Sequence, residues 1–460
     1  MSGRRSDRMI DVIGFSSDGK AYGIPSSDRI HTAIFGESGA GKSETMKLLI
    51  MQCIKRRQGF MLIDAHGMLA RDVLALMPRE LWSNTVYINP ATALWFNRAI
   101  SVNPLAYRDE EEKHVVMMSF INVLKNLYAD SWGDRLETIL RNAVNVLLDS
   151  SRDVTLKDIR SFIIDPEFRD SLLRNVTDLD VLHFWYDIFE KNYKREAVGV
   201  VYNKLDKVLS TPLAMVMLGS RSTIDIGQCM RDGRFILVDL ADVVSDDIVA
   251  FLGSLLIHLV YVEAKRSMRS QSSQKSTFDL FIDEAHLFPS FAIREVLNTL
   301  RKFNVKVTIA TQSINSLPGS IAKEIPALCR TIICFKCDIP TATLLKDLMP
   351  LSRDELLSLS LHEFAFYSHA SPPVTGVAMS KRITARECND WLDAARLSVD
   401  VYGGDAVLIR RSGSTRMMDL HVNTKTGTSG AMNDQSVMRD GAALAGLDAM
   451  ADARRGRQRG

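Results

Sequence analysis

The chain has 460 residues, 46% hydrophobic and 24% charged, which is long enough for two or three domains with their own cores and excludes a low-complexity polymer. Lys and Arg total 57 against 55 Asp and Glu, so the formal charge of +2 excludes a global basic field, and any contact with a polyanion must come from local patches. No apolar leader follows the N-terminal Met-Ser-Gly-Arg-Arg-Ser-Asp-Arg, and the most apolar run, 249–262, is interrupted by Ser254 and His258 and falls short of the about 20 residues that cross a bilayer. The expectation is a cytoplasmic chain with no transmembrane segment of its own.

In chain order, 29–35 has the pattern of a buried strand and 44–50 has helical spacing. Between them Gly36, Gly41, Lys42 and Ser43 fit the pattern G-x-x-x-x-G-K-[ST]. Glycines are required where backbone N–H groups at a helix N-terminus wrap a phosphate with no Cβ in the way. Gly36, Glu37, Ser38, Gly39, Ala40, Gly41, Lys42, Ser43 and Glu44 are therefore expected to hold a nucleoside triphosphate, with Lys42 neutralising the β/γ-phosphates and Ser43 ligating Mg²⁺.

Strands are predicted at 58–64, which ends in Asp64, and at 85–89; such strand–helix alternation implies a parallel sheet. From 109 to 218 the pattern is helical, with helices predicted over 111–128, 135–148, 156–164, 166–176, 182–193 and 195–209, an all-α insertion. Thr155 with Asp158, and Pro166, are helix-start signals. Strands resume at 234–239, 278–282, 306–310, 331–335 and 364–367. Helices are expected at 246–268, 292–303, 321–329 and 340–348, and a polar loop at 267–277. Beyond 371 periodicity fades, apart from a helix near 385–397, and 403–460 reads as a disordered tail. Arg454, Arg455, Arg457 and Arg459 at its end are either solvated or in contact with phosphate, the solvated reading being favoured.

The six cysteines are scattered through apolar segments, the usage of reduced thiols. Cys334-Phe-Lys-Cys337 lies in a predicted strand with no second pair, so packed thiols are favoured over a zinc site.

The strand 278–282 is followed by Asp283 and Glu284. A phosphate-binding loop needs a carboxylate on a nearby strand end to hold Mg²⁺ and a base to activate water; Asp283 and Glu284 fit these two roles, although paired acids also occur in helix caps. Strand 306–310 ends at Thr311, Gln312 and Ser313, which places Gln312 beside the γ-phosphate as a sensor or simply at a polar strand end. Arg301 lies in the preceding helix.

With these features located, the chain resembles the HerA/FtsK superfamily of hexameric DNA-translocating P-loop ATPases, and within it the TraG/TraD-type coupling ATPases of conjugation and type IV secretion. The supporting residues are Ile63-Asp64-Ala65-His66-Gly67, Val86-Tyr87-Ile88-Asn89-Pro90, Asn103-Pro104-Leu105, Phe184-Trp185, Asn203-Lys204-Leu205, Ile282-Asp283-Glu284 and Arg301-Lys302-Phe303. The resemblance spans about 28–370. Ala65 stands where the family usually has proline and Asn304 where glycine is frequent, and asparagine tolerates the left-handed conformation.

The resemblance implies an α/β fold, a RecA-like P-loop NTPase core with a mostly parallel central sheet plus the inserted all-α domain. The expected divisions are 1–108 and 219–370 for the core, 109–218 for the insertion and 371–460 for a C-terminal extension. It further implies ATP and Mg²⁺ as cofactors, Lys42, Glu284, Gln312 and Arg301 as catalytic residues, Ser43 and Asp283 at the metal, and Arg301 as an arginine finger acting across a subunit boundary. An arginine in trans is worth about 10³–10⁵ in rate, so isolated monomers should be nearly inactive. The implied partners are DNA, single- or double-stranded, other copies of the chain in a homohexamer, and a relaxase, secretion-channel or membrane-anchor protein. Membrane-anchored coupling proteins carry N-terminal transmembrane helices, which points here to docking through a partner or to a soluble relative. Two alternatives stand beside it: a viral or plasmid DNA-packaging ATPase, which shares the same motor, and, of a different class, an ATP-switched adaptor that recruits substrate through the helical insertion with little DNA movement.

Overall fold

The computed structural model describes residues 9–406 except 152, 210, 244, 268–276, 289, 318, 370–372 and 385–389. The arginine-rich tail, most of the polar loop at 267–277 and the start of the helix expected near 385–397 lie outside these residues.

The strands in chain order are β1 (Ile10–Phe15), β2 (Ala21–Pro25), β3 (His31–Phe35), β4 (Phe60–Asp64), β5 (Thr85–Ile88), β6 (Arg98–Ala99), β7 (Phe235–Asp239), β8 (Phe278–Ile282), β9 (Val305–Thr311), β10 (Thr331–Phe335), β11 (Glu363–Ser368), β12 (Val374–Met379) and β13 (Gly404–Asp405). Eleven of them form one sheet in the order β2-β1-β12-β11-β10-β3-β9-β8-β4-β7-β5. From β10 through β5 every pairing is parallel, and from β10 outward through β11, β12, β1 and β2 every pairing is antiparallel. Every residue of β3, β4, β7, β8 and β10 is buried, as expected of parallel strands covered on both faces.

The hairpin β1–β2 and strand β12 are not distinguished by the hydrophobic pattern. All three lie toward the antiparallel edge, where burial is mixed and the alternation correspondingly weak. Strand β12 extends the sheet past 371, into the stretch expected to be a flexible extension.

The chain divides into two compact units. The sheet unit comprises 9–88, 119–132 and 225–398; the helical unit comprises 89–118, 133–224 and 399–406. Residues 119–132, within the segment expected to be one insertion, thus group with the sheet.

In the sheet unit, helix Asp246–Ser267 has 22 residues, longer than its apolar run suggests, and by length and composition it could cross a membrane. Two thirds of its most apolar window (67%) is buried inside the protein, where it packs on helices Ile226–Arg231 and Ser290–Thr299.

The helical unit is built from Asp134–Ser150, Leu156–Ile164, Pro166–Leu173, Leu179–His183, a π-helical stretch Phe184–Tyr193, Lys194–Leu209 and Pro212–Leu218. Its aromatic centre is Trp185, with ring centroids 4.8 Å from Phe162 and 4.7 Å from Phe189. The expected start signals operate: the Thr155 amide donates to Asp158 at 2.7 Å, and Pro166 opens its helix behind the Asp165 cap. Strands β6 and β13 pair within this unit.

Candidate nucleotide site

Strands β3, β9, β8 and β4 are parallel, so their C-terminal ends share one edge of the sheet. Gly36–Gly41 leaves β3 at that edge and turns into helix Lys42–Lys55. Gly41 has φ 121°, and a Cβ there would lie 2.4 Å from Ser380 Oγ, so both conformation and space demand glycine. Glu37, Ser38 and Gly39 are exposed, and a Cβ built on Gly39 would meet nothing within 4 Å, which leaves the mouth of the loop open. Neighbouring strands brace the loop: the Glu37 amide donates to the Lys336 carbonyl at 2.8 Å, and the Ala40 carbonyl accepts from the His362 amide at 3.2 Å.

Lys42 is only 5% exposed, and its ammonium donates to the carbonyls of Gly36 (2.8 Å) and Glu37 (3.1 Å). Burial lowers its pKa, against the pull of Glu284 and Asp283. Ser43 is exposed at the start of the helix. Glu44 accepts from Lys47 (2.8 Å) and from the Ile383 amide (3.1 Å).

Asp283 follows β8 directly. Its amide donates to the Ile63 carbonyl on β4 at 3.0 Å, which sets its carboxylate beside Asp64. Burial, then the charges of Asp64 and Glu284, push the Asp283 pKa up to about 7. The carboxylate is only partly offset by the charge of Lys42. Together with the exposed Ser43 hydroxyl it fits the hard-oxygen donor set of Mg²⁺, which binds through one or two protein oxygens plus phosphates and waters. Among the described residues no cluster of three or more His, Cys, Asp or Glu side chains could cage a metal.

Glu284 adopts the left-handed conformation (φ 48°, ψ 53°), uncommon for a non-glycine residue and frequent where side chains are aimed for function. Its Oε1 lies 3.5 Å from the Gln312 amide nitrogen and its Oε2 3.3 Å from Nδ1 of His286, which is also 3.4 Å from Thr311 Oγ1. Burial would raise the Glu284 pKa, but His286, Lys42 and Gln312 outweigh it and hold the carboxyl below its ordinary value, ionised and able to accept a proton.

Lys42, Asp283, Glu284 and Gln312 therefore meet at one edge, with Ser43 exposed beside them. Arg301 does not join them. It is exposed in the turn Leu300–Phe303 that precedes β9, and its charge acts on His31, the first residue of β3, at the opposite end of the strands. It cannot serve the site of its own chain. Asp64 and His286 complete the surroundings of the two acids. Asp64 ends a predicted strand, but only the adjacency of β4 and β8 places it beside Asp283. The local signal for His286 was its position two residues after Glu284.

A phosphate-binding loop on β3, with acids at the ends of neighbouring parallel strands, defines a P-loop NTPase fold. Residues 27–228 match the family model described as the central domain of the helicase HerA. The bacterial conjugative coupling protein TrwBΔN70, in its unbound form, superposes with a TM-score of 0.58 at 14% identity, covering 84% of this chain and 91% of that one. VirB4 of Thermoanaerobacter pseudethanolicus superposes with a TM-score of 0.59 at 16% identity, covering 84% and 99%. TrwB in complex with ADP and Mg²⁺ superposes with a TM-score of 0.56 at 14% identity, covering 84% and 94%. At these identities the structures establish the shared fold. A sequence comparison with curated proteins gives no match.

Proposed function

We propose that the protein is an ATP-dependent DNA translocase of the type IV secretion coupling kind, cytoplasmic or held at the membrane by a partner, and working as a homohexamer. The observation that carries the reading is the meeting of Lys42, Asp283, Glu284 and Gln312 at the carboxyl edge of the sheet. In this reading the triphosphate displaces the Gly36 and Glu37 carbonyls as partner of the Lys42 ammonium. Ser43 and Asp283 would hold Mg²⁺, which would supply neutralising charge at the phosphates. Glu284, kept ionised by its neighbours, accepts a proton from water, and Gln312 orients that water or senses the γ-phosphate. Arg301, exposed and remote from its own site, is available to the site of a neighbouring copy. Solved relatives carrying ATP and GTP analogues, or ADP with Mg²⁺, support the nucleotide and metal assignment.

The test is ATP turnover by the purified chain over a concentration series, with and without duplex and single-stranded DNA. The expected result is turnover that rises cooperatively with protein, is stimulated by DNA, and falls to background in Lys42→Ala and Glu284→Gln. Turnover indifferent to DNA and to protein concentration refutes the translocase and moves the assignment to the adaptor.

A further inference from the structure

The acids lie on one flank of the loop strand, at the ends of β9's neighbour β8 and of β4; the other flank is formed by β10, β11 and β12. A nucleotide bound with its γ-phosphate toward Glu284 must direct its base away from the acids, to that second flank. What stands there is specific. The His362 amide holds the Ala40 carbonyl of the loop, and the Ser380 amide holds the His362 carbonyl at 2.8 Å. Ser380 Oγ, Phe335 Cε1 and His362 Nδ1 surround Gly41. The Ile383 amide reaches Glu44 on the first turn of the loop helix. The segment 380–383 is thereby fixed to the phosphate cradle. Next to His362, Leu361 is 67% exposed, a large apolar side chain left in water beside an open loop.

We propose that Leu361 and His362, with the segment 380–383, form the nucleobase subsite, and that Leu361 supplies an apolar contact to the base. The proposal rests on the nucleotide reading above. His362 has a φ of 67°, in the left-handed region, and that conformation accompanies the hydrogen bonds to both Ala40 and Ser380. Three carboxylates of this flank already have partners, Glu37 in Lys336 at 3.6 Å, Glu44 in Lys47 and the Ile383 amide, and Glu363 in the Ser360 amide. An apolar contact discriminates weakly, whereas a site built on hydrogen bonds to the base rejects analogues strongly. ATP and GTP should therefore bind with similar affinity.

The experiment is calorimetric titration of the full chain with ATP, GTP and inorganic tripolyphosphate, which fills the phosphate cradle but has no base. Leu361→Ala is suited to the test because the side chain is exposed and its loss leaves no cavity in the core. Its expected result is an ATP affinity weakened about fivefold with tripolyphosphate binding unchanged, and Leu361→Met restoring ATP affinity. ATP affinity in Leu361→Ala within twofold of wild type overturns the subsite while leaving the nucleotide site intact. A hundredfold preference between ATP and GTP overturns its apolar character. Failure of the wild-type chain to bind either ATP or tripolyphosphate overturns the nucleotide reading itself, and the subsite with it.

Discussion

At the end of the sheet remote from the site, Arg29 is 2% exposed, and its guanidinium ties three strands together. Nε donates to Asp11 of β1 at 2.6 Å, Nη2 to Asp279 of β8 at 2.5 Å, and Nη1 to Thr308 of β9 at 3.3 Å. Its loss is unequal for the two acids. In Arg29→Met, Asp11 keeps Arg56 and has Lys306 at 3.8 Å, whereas Asp279 keeps the amide of Gln58 and becomes a buried carboxylate whose remaining cation, Lys306, is shared with Asp11. Removing one partner of a buried ion pair costs about 3–5 kcal/mol, which for a unit of this size is a fall of about 10 °C in melting temperature. The assay is thermal unfolding together with hydrogen exchange of β3 and β8, whose amides should lose protection together. Adding Asp279→Asn removes the stranded charge, so the double variant should regain part of the loss. Arg29→Met melting within 2 °C of wild type, or a double variant no more stable than the single, refutes the argument.

The same cluster sets an acid limit. Burial raises the Asp11 pKa, but Arg29, Arg56 and Lys306 outweigh it and hold the group at about 2, against an ordinary 3.8. A depressed folded-state pKa gives stability that is complete above about pH 4 and is lost as pH falls toward 2, on the order of 2 kcal/mol for this shift. Denaturation at stepped pH should show that loss in wild type, and a flatter dependence in Asp11→Asn. Gly67 has φ 76°, and a Cβ there would sit 2.2 Å from Asp239 Oδ1. Asp239 anchors Arg71 (2.7 Å) and the Tyr87 hydroxyl (2.6 Å), so Gly67→Ala should cost about 2–4 kcal/mol in chemical denaturation, and an unchanged midpoint would count against the strain. Gln312→Ala should keep ATP affinity while lowering turnover about 10²-fold; a change in affinity alone would assign Gln312 to binding.

What the sequence determined by itself is what is local or continuous along the chain. The glycine spacing around Lys42 is a property of eight consecutive residues, and a loop that wraps phosphate admits few other side chains. The strands β4, β7, β8 and β10 are legible because burial on both faces demands unbroken apolar runs, and the acids after β8 stand out as the first charges past such a run. The helical segment is legible through its period and through start signals such as Thr155 with Asp158 and Pro166. Strand order is not local: β3 neighbours β9 and β10, almost three hundred residues downstream, and only that order sets Asp64 beside Asp283 and His362 beside Ala40. The edge strands β1, β2 and β12 owe their place to pairing rather than to apolar content, so their residues carry little pattern of their own. The tertiary structure alone decided that Arg301 and Glu284 occupy opposite ends of the sheet. Two residues separated by one helix in the chain can lie at the same end of the sheet or at opposite ends, and the parallel direction of β8 and β9 determines which.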